Sequence, residues 1–330
     1  MRASLPDPPC PECPPPDAAD VAACRARLRN GSRSFYAASF LLPDDMADAA
    51  TSLYAFCRVV DDVVDDDARA DDAIDRLAER LRRAYAGDPL PEPEDRAFAA
   101  VVARYGVPRA LPEGLLEGMR WDAEGRRYET FPELRAYCAR VAATVGAMMT
   151  CVMGGRSADT VARACDLGVA MQLSNVARDV GEDARMGRLY LPAAWLREAG
   201  VDPEAWLAEP QFRPELGTVL ERLLGEASAL YARAVGGIAA LPPACRPGIH
   251  AARLIYAEIG HEVRRRCMDS VSQRAIVPNW RKSVLVFRAL GSALRAGAPS
   301  ADPPLPETRF LVDAVVNGTS RDESFVLTTD

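Results

Sequence analysis

From about residue 19 to Leu294, apolar side chains recur at three- and four-residue spacing through stretches rich in Ala, Leu, Arg and Glu, the period of amphipathic helices. Breaks carrying Gly or Pro interrupt the pattern near Pro43, at Gly87-Asp88-Pro89, Gly106-Val107-Pro108, Gly154-Gly155 and Leu241-Pro242-Pro243. The two-residue alternation of a half-buried strand persists nowhere, so the pattern predicts an all-α fold. No repeat of fixed length and no shift in composition divides the helical part, which predicts one helical domain over residues 19–295. The run from Val141 to Gly155 has no charge and opens with small or flexible residues on every face. Such a helix is buried. It is either a central core helix or a wall whose small side chains leave room for a long apolar ligand.

The two ends read differently. Seven prolines between Pro6 and Pro16 prevent helix and predict a disordered arm over residues 1–18. After about Ala296 the chain returns to Pro, Ser, Thr and Asp, predicting a loosely held tail over 296–330.

Composition narrows the chemistry. With 40 Lys+Arg against 47 Asp+Glu the formal net charge is −7, so the broad basic field that holds nucleic acid is absent and no nucleic-acid partner is expected. Only two histidines, His250 and His261, and one lysine, Lys282, are present, which excludes a His-rich metal site and leaves a single candidate for Schiff-base chemistry. Nine scattered cysteines in apolar segments read as buried thiols; Cys10 and Cys13 form a Cys-x-x-Cys pair with no second pair at zinc spacing, and read as a feature of the arm. No uncharged run reaches the ~20 residues of a spanning helix and no signal-peptide core is visible, so the expected location is the cytoplasm.

Two acidic segments carry the sharper signal. Tyr54-Ala-Phe-Cys-Arg58-Val-Val-Asp61-Asp62-Val-Val-Asp65 places Asp61 and Asp65 at i and i+4, on one helical face, with Tyr54 and Arg58 on nearby turns of that side. Alone, such a run reads more readily as a solvated acidic face or a helix-end cluster than as a cation site. The second segment, Gln172-Leu-Ser-Asn175-Val-Ala-Arg178-Asp179-Val-Gly-Glu182-Asp183, aligns Asn175, Asp179 and Asp183 as successive i+4 steps one turn beyond Gln172. Carboxylate and amide oxygens are the ligands of hard divalent ions such as Mg²⁺, whose remaining positions are commonly filled by water and substrate phosphates. Two such stripes facing across a bundle would clamp a diphosphate, with Arg58 and Arg178 beside them. For Arg178 an intrahelical ion pair with Asp179 or Glu182 is the equal alternative.

Taken together, Gly31-Ser32-Arg33-Ser34-Phe35-Tyr36, Leu41-Leu42-Pro43, the Tyr54 to Asp65 segment, the Asn175 to Asp183 segment and Gly187-Arg188-Leu189-Tyr190-Leu191-Pro192 resemble the squalene/phytoene synthase family over about residues 28–290. Tyr256-Ala-Glu258-Ile-Gly-His-Glu262 and Arg274 are most similar to its bacterial 15-cis-phytoene synthase branch. The resemblance implies an isoprenoid-synthase-like single-domain bundle around a central apolar cavity. It implies that Asp61, Asp65, Asn175, Asp179 and Asp183 bind Mg²⁺ or Mn²⁺, and that Gly31, Ser32, Arg33, Ser34, Tyr54, Arg58, Gln172, Arg178, Tyr256 and Arg274 contact substrate. Tyr137 matches a tyrosine near the reaction centre, and Asp61, Asp65, Asp179, Asp183, Tyr137 and Arg178 are the implied catalytic set. Many members read Tyr-Cys-Tyr-x-Val-Ala-Gly where this chain has Tyr137-Cys138-Ala139-Arg140-Val141-Ala142-Ala143, so the second tyrosine is missing and the extra methyl of Ala143 is placed to narrow the cavity.

The implied reaction joins two geranylgeranyl diphosphates head to head into 15-cis-phytoene through a cyclopropyl diphosphate, the first committed step of carotenoid biosynthesis, with no NADPH expected. A squalene or hydroxysqualene synthase acting on farnesyl diphosphate leaves the same metal motifs, and a non-catalytic assembly factor on the same fold is disfavoured because both motifs are complete. So apolar a product implies peripheral membrane association and hand-off to lipid or to the next carotenoid-pathway enzyme. The run from Trp280-Arg281-Lys282 to Phe287-Arg288 is the candidate contact, with a core-packing helix bearing a basic outer face as the equal alternative.

Overall fold

A computed structural model of the chain describes residues 10, 12–31, 33–66, 70–293 and 302–318; for residues 33, 34, 37, 60–66 and 70–72 it describes the backbone alone. Among the described residues every regular element is helical. In chain order they are α1 (Ala18–Gly31), α2 (Arg33–Ser39), α3 (Asp44–Asp66), α4 (Ala70–Tyr85), α5 (Pro93–Tyr105), α6 (Ala110–Ala123), α7 (Phe131–Cys138), α8 (Thr144–Val152), α9 (Ala158–Arg185), α10 (Ala193–Glu198), α11 (Pro203–Ala208), α12 (Pro214–Ala240), α13 (Arg246–Arg265), α14 (Asn279–Ala293) and α15 (Arg309–Asn317). A π-helical turn, Ala139–Ala143, joins α7 to α8, and a 3-10 turn, Pro306–Thr308, leads into α15.

Local chemistry sets the ends of these helices. Ser157 and Asp202 accept the backbone N–H of Thr160 (3.2 Å) and Ala205 (2.8 Å), capping α9 and α11. Prolines occupy the first turn of α5, α7, α11 and α12, where a missing N–H costs nothing. The left-handed Gly106 (φ 55°) closes α5.

The 28-residue α9 is the axis of the bundle, with α12 and α13 packed along it and α8, the π turn and α15 covering the rest. Helix α3 packs against α1, α5, α6 and α8. The π turn and α8 run antiparallel to α9 and their backbones nearly touch it: a Cβ on Gly168 would stand 2.6 Å from Ala143 Cα, and one on Gly146 2.7 Å from the Ala164 carbonyl oxygen. The uncharged run is both of its expected things. Ala143, Ala147, Met148, Cys151 and Val152 enter the core, while Val141, Ala142, Val145, Gly146, Met149, Thr150 and Met153 line a cavity between α3, α8, α9, α12 and α13. Ala143 does not narrow that cavity; it packs against Gly168, whose missing side chain makes the room.

Of the tail expected to be loosely held, residues 302–318 are described and dock on the bundle, while 296–301 and 319–330 lie outside the described residues. Leu305, Leu311, Val312 and Val315 are buried against the bundle. Arg163 donates to the Asp302 carbonyl (3.0 Å), Arg233 to that of Pro303 (2.8 Å), and Arg135 pairs with Glu307 (2.8 Å). The Pro, Ser, Thr and Asp around it hide a short amphipathic run, Phe310-Leu-Val-Asp-Ala-Val-Val, too brief to register in composition. At the other end, the Cys10 N–H reaches the Arg104 carbonyl (2.8 Å) and the Arg104 guanidinium reaches the Cys13 carbonyl (2.8 Å), so this stretch of the arm rests on the end of α5. Residues 1–9 and 11 of the arm lie outside the described residues. Cys10 and Cys13 are free thiols.

Candidate functional site

Helix α9 carries the second acidic segment as its spacing requires, with Ala164, Leu167, Gly168, Met171, Gln172 and Asn175 in turn along the cavity wall. Beyond Asn175 the stripe continues through Asp179 to Asp183, so an apolar cavity leads onto a row of oxygens. The cavity volume is about 310 Å³. Tyr54 on α3 and Tyr256 on α13 also line it. Phe35 stacks on Tyr54 at 5.5 Å between centroids, and a Cβ on Gly31 would stand 2.5 Å from the Tyr54 hydroxyl, so a larger residue there would displace the Tyr54 ring. Arg58 is half-buried one turn beyond Tyr54 on α3.

Charge gathers on Asp179. Arg178 grips it with two hydrogen bonds (Nε 2.7 Å, Nη2 2.5 Å), the pairing that the sequence left as an alternative to phosphate contact. Arg274, 95 residues away in sequence, donates Nε to the same carboxylate (2.7 Å) and lies 3.3 Å from Glu182. The loop after α13 delivers it. Cys267 and Met268 adopt left-handed backbone (φ 54° and 66°), a conformation that costs about 1–2 kcal/mol per residue in L-amino acids. Hydrogen bonds from their N–H groups to the carbonyls of Arg264 and Val263, both 3.0 Å, offset it. Asp269 then caps the N–H groups of Val271 (3.1 Å) and Ser272 (2.8 Å). Two successive carbonyls dock on α9: Ser270 accepts the Gly181 N–H at 3.1 Å and Val271 accepts Arg185 Nη1 at 3.3 Å.

The donor set on α9 fits a hard divalent cation. Asn175 Oδ1 is buried without a hydrogen-bond partner, while its Nδ2 donates to Gln172 (3.2 Å), so the free oxygen is the one on the stripe. The Asp183 carboxyl is pushed up to about 7 by burial and then by the charge of Asp179, which the opposing charge of Arg188 only partly offsets. Both features are relieved by a cation bound to oxygen. Asp61 and Asp65 lie on helical backbone of α3, as expected, but their side chains lie outside the described residues, as do Ser32 and the side chains of Arg33 and Ser34. Among the described residues no three His, Cys, Asp or Glu form a metal cluster, so the α9 pair needs partners from elsewhere.

Tyr137 is not on the cavity wall. It is buried, and its hydroxyl donates to Asp122 (2.8 Å), whose other oxygen accepts Tyr190 (2.8 Å). Tyr128 packs on both rings at 5.3 and 6.3 Å. Burial, followed by the Asp122 charge, holds the Tyr137 hydroxyl well above its ordinary pKa, so it serves as a donor rather than a base. Asp122 is also among the charges that raise Asp183, which ties this cluster to the acidic stripe. Sequence reasoning missed Asp122 because no second acid stands one turn from it on α6; Tyr190 was visible only within a longer motif.

The family model of squalene/phytoene synthase matches residues 28–281. The chain is 51% identical over 307 residues to a phytoene synthase of Rhodobacter capsulatus, covering 91% of each, and 41% identical over 256 residues to a 15-cis-phytoene synthase of Paracoccus sp., covering 75% of this chain and 83% of that one. Its fold superimposes on a ligand-bound dehydrosqualene synthase with a TM-score of 0.75 at 32% identity, covering 83% of this chain and 96% of the other.

Proposed function

The chain belongs to the squalene/phytoene synthase family, and from that membership together with its site we infer that it condenses two geranylgeranyl diphosphates head to head into 15-cis-phytoene. The observation that carries this reading is the junction itself: a long apolar cavity whose α9 wall passes at Asn175 into Asp179 and Asp183, with Arg178 and Arg274 already converged on the stripe.

Two allylic C–O bonds break in the course of the reaction, two diphosphates leave and two protons are lost, so the balance needs no reductant. Asp61, Asp65, Asn175, Asp179 and Asp183 would hold Mg²⁺ or Mn²⁺, which neutralises the diphosphate as charge develops on the leaving oxygen. Arg178 and Arg274, with Arg58 one helix away, orient that diphosphate through charge-assisted bonds. Tyr54, Gln172 and Tyr256 stand where the cavity meets the stripe and position the first carbons of the chain. Leu115, Met119, Val145, Met149, Leu167 and Met171 exclude water from the allylic cation, so that it is captured by the C2–C3 double bond of the second substrate as one proton leaves and a cyclopropane closes. A second ionisation and rearrangement within the same walls, with loss of the other proton, gives the hydrocarbon. Tyr137 and Tyr190 act here through Asp122, as positioning residues.

Incubating the pure protein with Mg²⁺ and either geranylgeranyl or farnesyl diphosphate, then identifying the hydrocarbon, tests the reading. Phytoene from the first substrate supports it; a C30 product from farnesyl diphosphate alone would replace it with the squalene-type reaction.

For the product's exit, a peripheral membrane contact in the cytoplasm is the supported route. No helix among the described residues is long and apolar enough to cross a membrane. Helix α14 buries Leu285 and Ala289 against the bundle while Trp280, Val284, Phe287 and Leu290 face outward, Phe287 being 74% exposed. The outer face thus combines these apolar side chains with the exposed Arg288. With Lys282 and Arg288 flanking it, this face matches the interfacial layer of an anionic bilayer. Flotation with anionic liposomes should be lost in Trp280→Ser/Phe287→Ser. Equal flotation of that variant would assign lipid contact elsewhere, and no flotation of the parent would leave direct hand-off to the next carotenoid-pathway enzyme.

A further inference from the structure

The end of the cavity remote from the acidic stripe contains an ion network with no role in the chemistry above. Arg163 lines this end with Thr150, Met153, Thr160 and Gly237, yet its side chain is wholly buried. Its Nη1 lies 3.2 Å from the equally buried carboxylate of Asp166, which also accepts Arg233 Nε (3.0 Å). The same two arginines reach into the C-terminal segment, Arg163 Nη2 to the Asp302 carbonyl (3.0 Å) and Arg233 Nη2 to that of Pro303 (2.8 Å). The Arg163 stem is equally confined: a Cβ on Gly237 of α12 would stand 2.3 Å from its Cβ and 2.9 Å from its Cγ. The stem cannot swing away, and the head is tied at several points.

Helix α9 supplies the scale. At a rise of about 1.5 Å per residue, Ala164 lies roughly 16 Å and Thr160 roughly 22 Å from Asn175. With C–C bonds of about 1.5 Å, a near-extended prenyl chain of three isoprene units spans roughly 15 Å and one of four units roughly 20 Å. A chain anchored by its diphosphate at the stripe therefore reaches Ala164 with its third unit, and its fourth lies between Ala164 and Thr160.

We propose that Ala164, Thr160 and the Arg163 stem form a length gauge that admits a fourth isoprene unit and stops a fifth, its floor held by Asp166, Arg233 and the docked C-terminal segment. The gauge rests on the reaction assigned above and names what selects its substrate. It gives the tail a task, since residues 302–303 anchor the floor.

The test compares C15 and C20 diphosphates as competing substrates, and measures Mg²⁺-dependent binding of the non-ionising C15, C20 and C25 thiolodiphosphates by calorimetry. Ala164→Phe fills the space of the fourth unit. It should lower the C20:C15 ratio of kcat/KM by about 100-fold or more, the loss expected on excluding five carbons from an apolar wall, with C15 turnover retained. Where Phe prevents folding, Ala164→Val should shift the ratio in the same sense by about 10-fold. Arg163→Met keeps the stem but removes its ties, leaving Asp166 paired with Arg233; the C25 analogue should then bind at least 10-fold more tightly than to the parent. Folded variants with the parental ratio and no gain in C25 binding would overturn the gauge. If the parent converts neither diphosphate, the assigned reaction fails, while analogue binding still decides where chain length is read.

Discussion

Gly181→Ala separates backbone docking from ordinary helix preference. Alanine is the better helix former by about 1 kcal/mol, so in an open helix interior the change stabilises. Gly225 in α12 is such a place, exposed and with nothing within 4 Å of a built Cβ. Gly181 is the opposite case. A Cβ there would stand 2.2 Å from the Val271 carbonyl oxygen and 2.7 and 2.8 Å from Val271 Cα and C, all backbone, so no rotamer relieves it. Reaching the 3.4 Å of ordinary contact needs a retreat of about 1.2 Å by the loop. That retreat breaks the Gly181–Ser270 hydrogen bond, a loss of about 1 kcal/mol, on top of overpacking at about 1–3 kcal/mol. Net of the helix gain, about 1–3 kcal/mol of stability is lost.

The larger effect is on turnover. Arg274 is three residues from Val271, and its 2.7 Å bond to Asp179 does not survive a shift of that size intact. Misplacing a charge-positioning group by about 1 Å costs on the order of 10²-fold in rate. Steady-state turnover of Gly181→Ala, Gly225→Ala and the parent, with thermal melts of each, is the assay. Gly181→Ala should lose rate and melt lower, and Gly225→Ala should keep its rate and melt higher. A Gly181→Ala protein that turns over normally and gains stability like Gly225→Ala would refute the docking argument.

Asp179→Ala should fold and lose most turnover, and chelating divalent metal should abolish turnover in the parent; a normal rate in either experiment removes the carboxylate stripe from the mechanism. On α3, Asp61→Asn/Asp65→Asn should damage turnover far more than Asp62→Asn/Asp66→Asn, whose faces are rotated by about 100°; equal damage would place the register wrongly. Buried His250 is depressed to about 4 by burial and then by Arg253 and Arg246. Because its folded pKa lies below the unfolded value near 6.5, the unfolded chain binds the extra proton. Stability present above about pH 6.5 is therefore lost as pH falls toward 4, by up to about 3 kcal/mol from this group. Urea unfolding at pH 7 and 4.5 should show His250→Leu losing less than the parent, and identical losses would discount the residue.

The sequence announces what is periodic. Asn175, Asp179 and Asp183 are legible because a helix turns i+4 spacing into a single stripe, and the cavity wall is legible because an uncharged run of small residues has no stable place at the surface. Features built between distant segments leave no such trace. Arg274 meets Asp179 across 95 residues, Asp122 gathers Tyr137 and Tyr190 from 15 and 68 residues further along the chain, and Gly181 looks like a weak point in a helix until the Val271 carbonyl is seen resting on it.

The C-terminal segment is the fullest case of the same rule. Its local composition reads as a tail because the groups that hold it belong to other elements: Arg163 on α9, Arg233 on α12 and Arg135 on α7 each reach out to carbonyls or a carboxylate within residues 302–307. A chain segment donating backbone carbonyls needs no distinctive side chains, so pattern analysis passes over it. Its partner does carry a signal in three dimensions, since a wholly buried arginine is tolerated only where its charge is met. That requirement links the docked segment to the cavity: if Arg163 must stay ion-paired to stay buried, whatever completes its pairing also fixes the depth of the wall its stem forms.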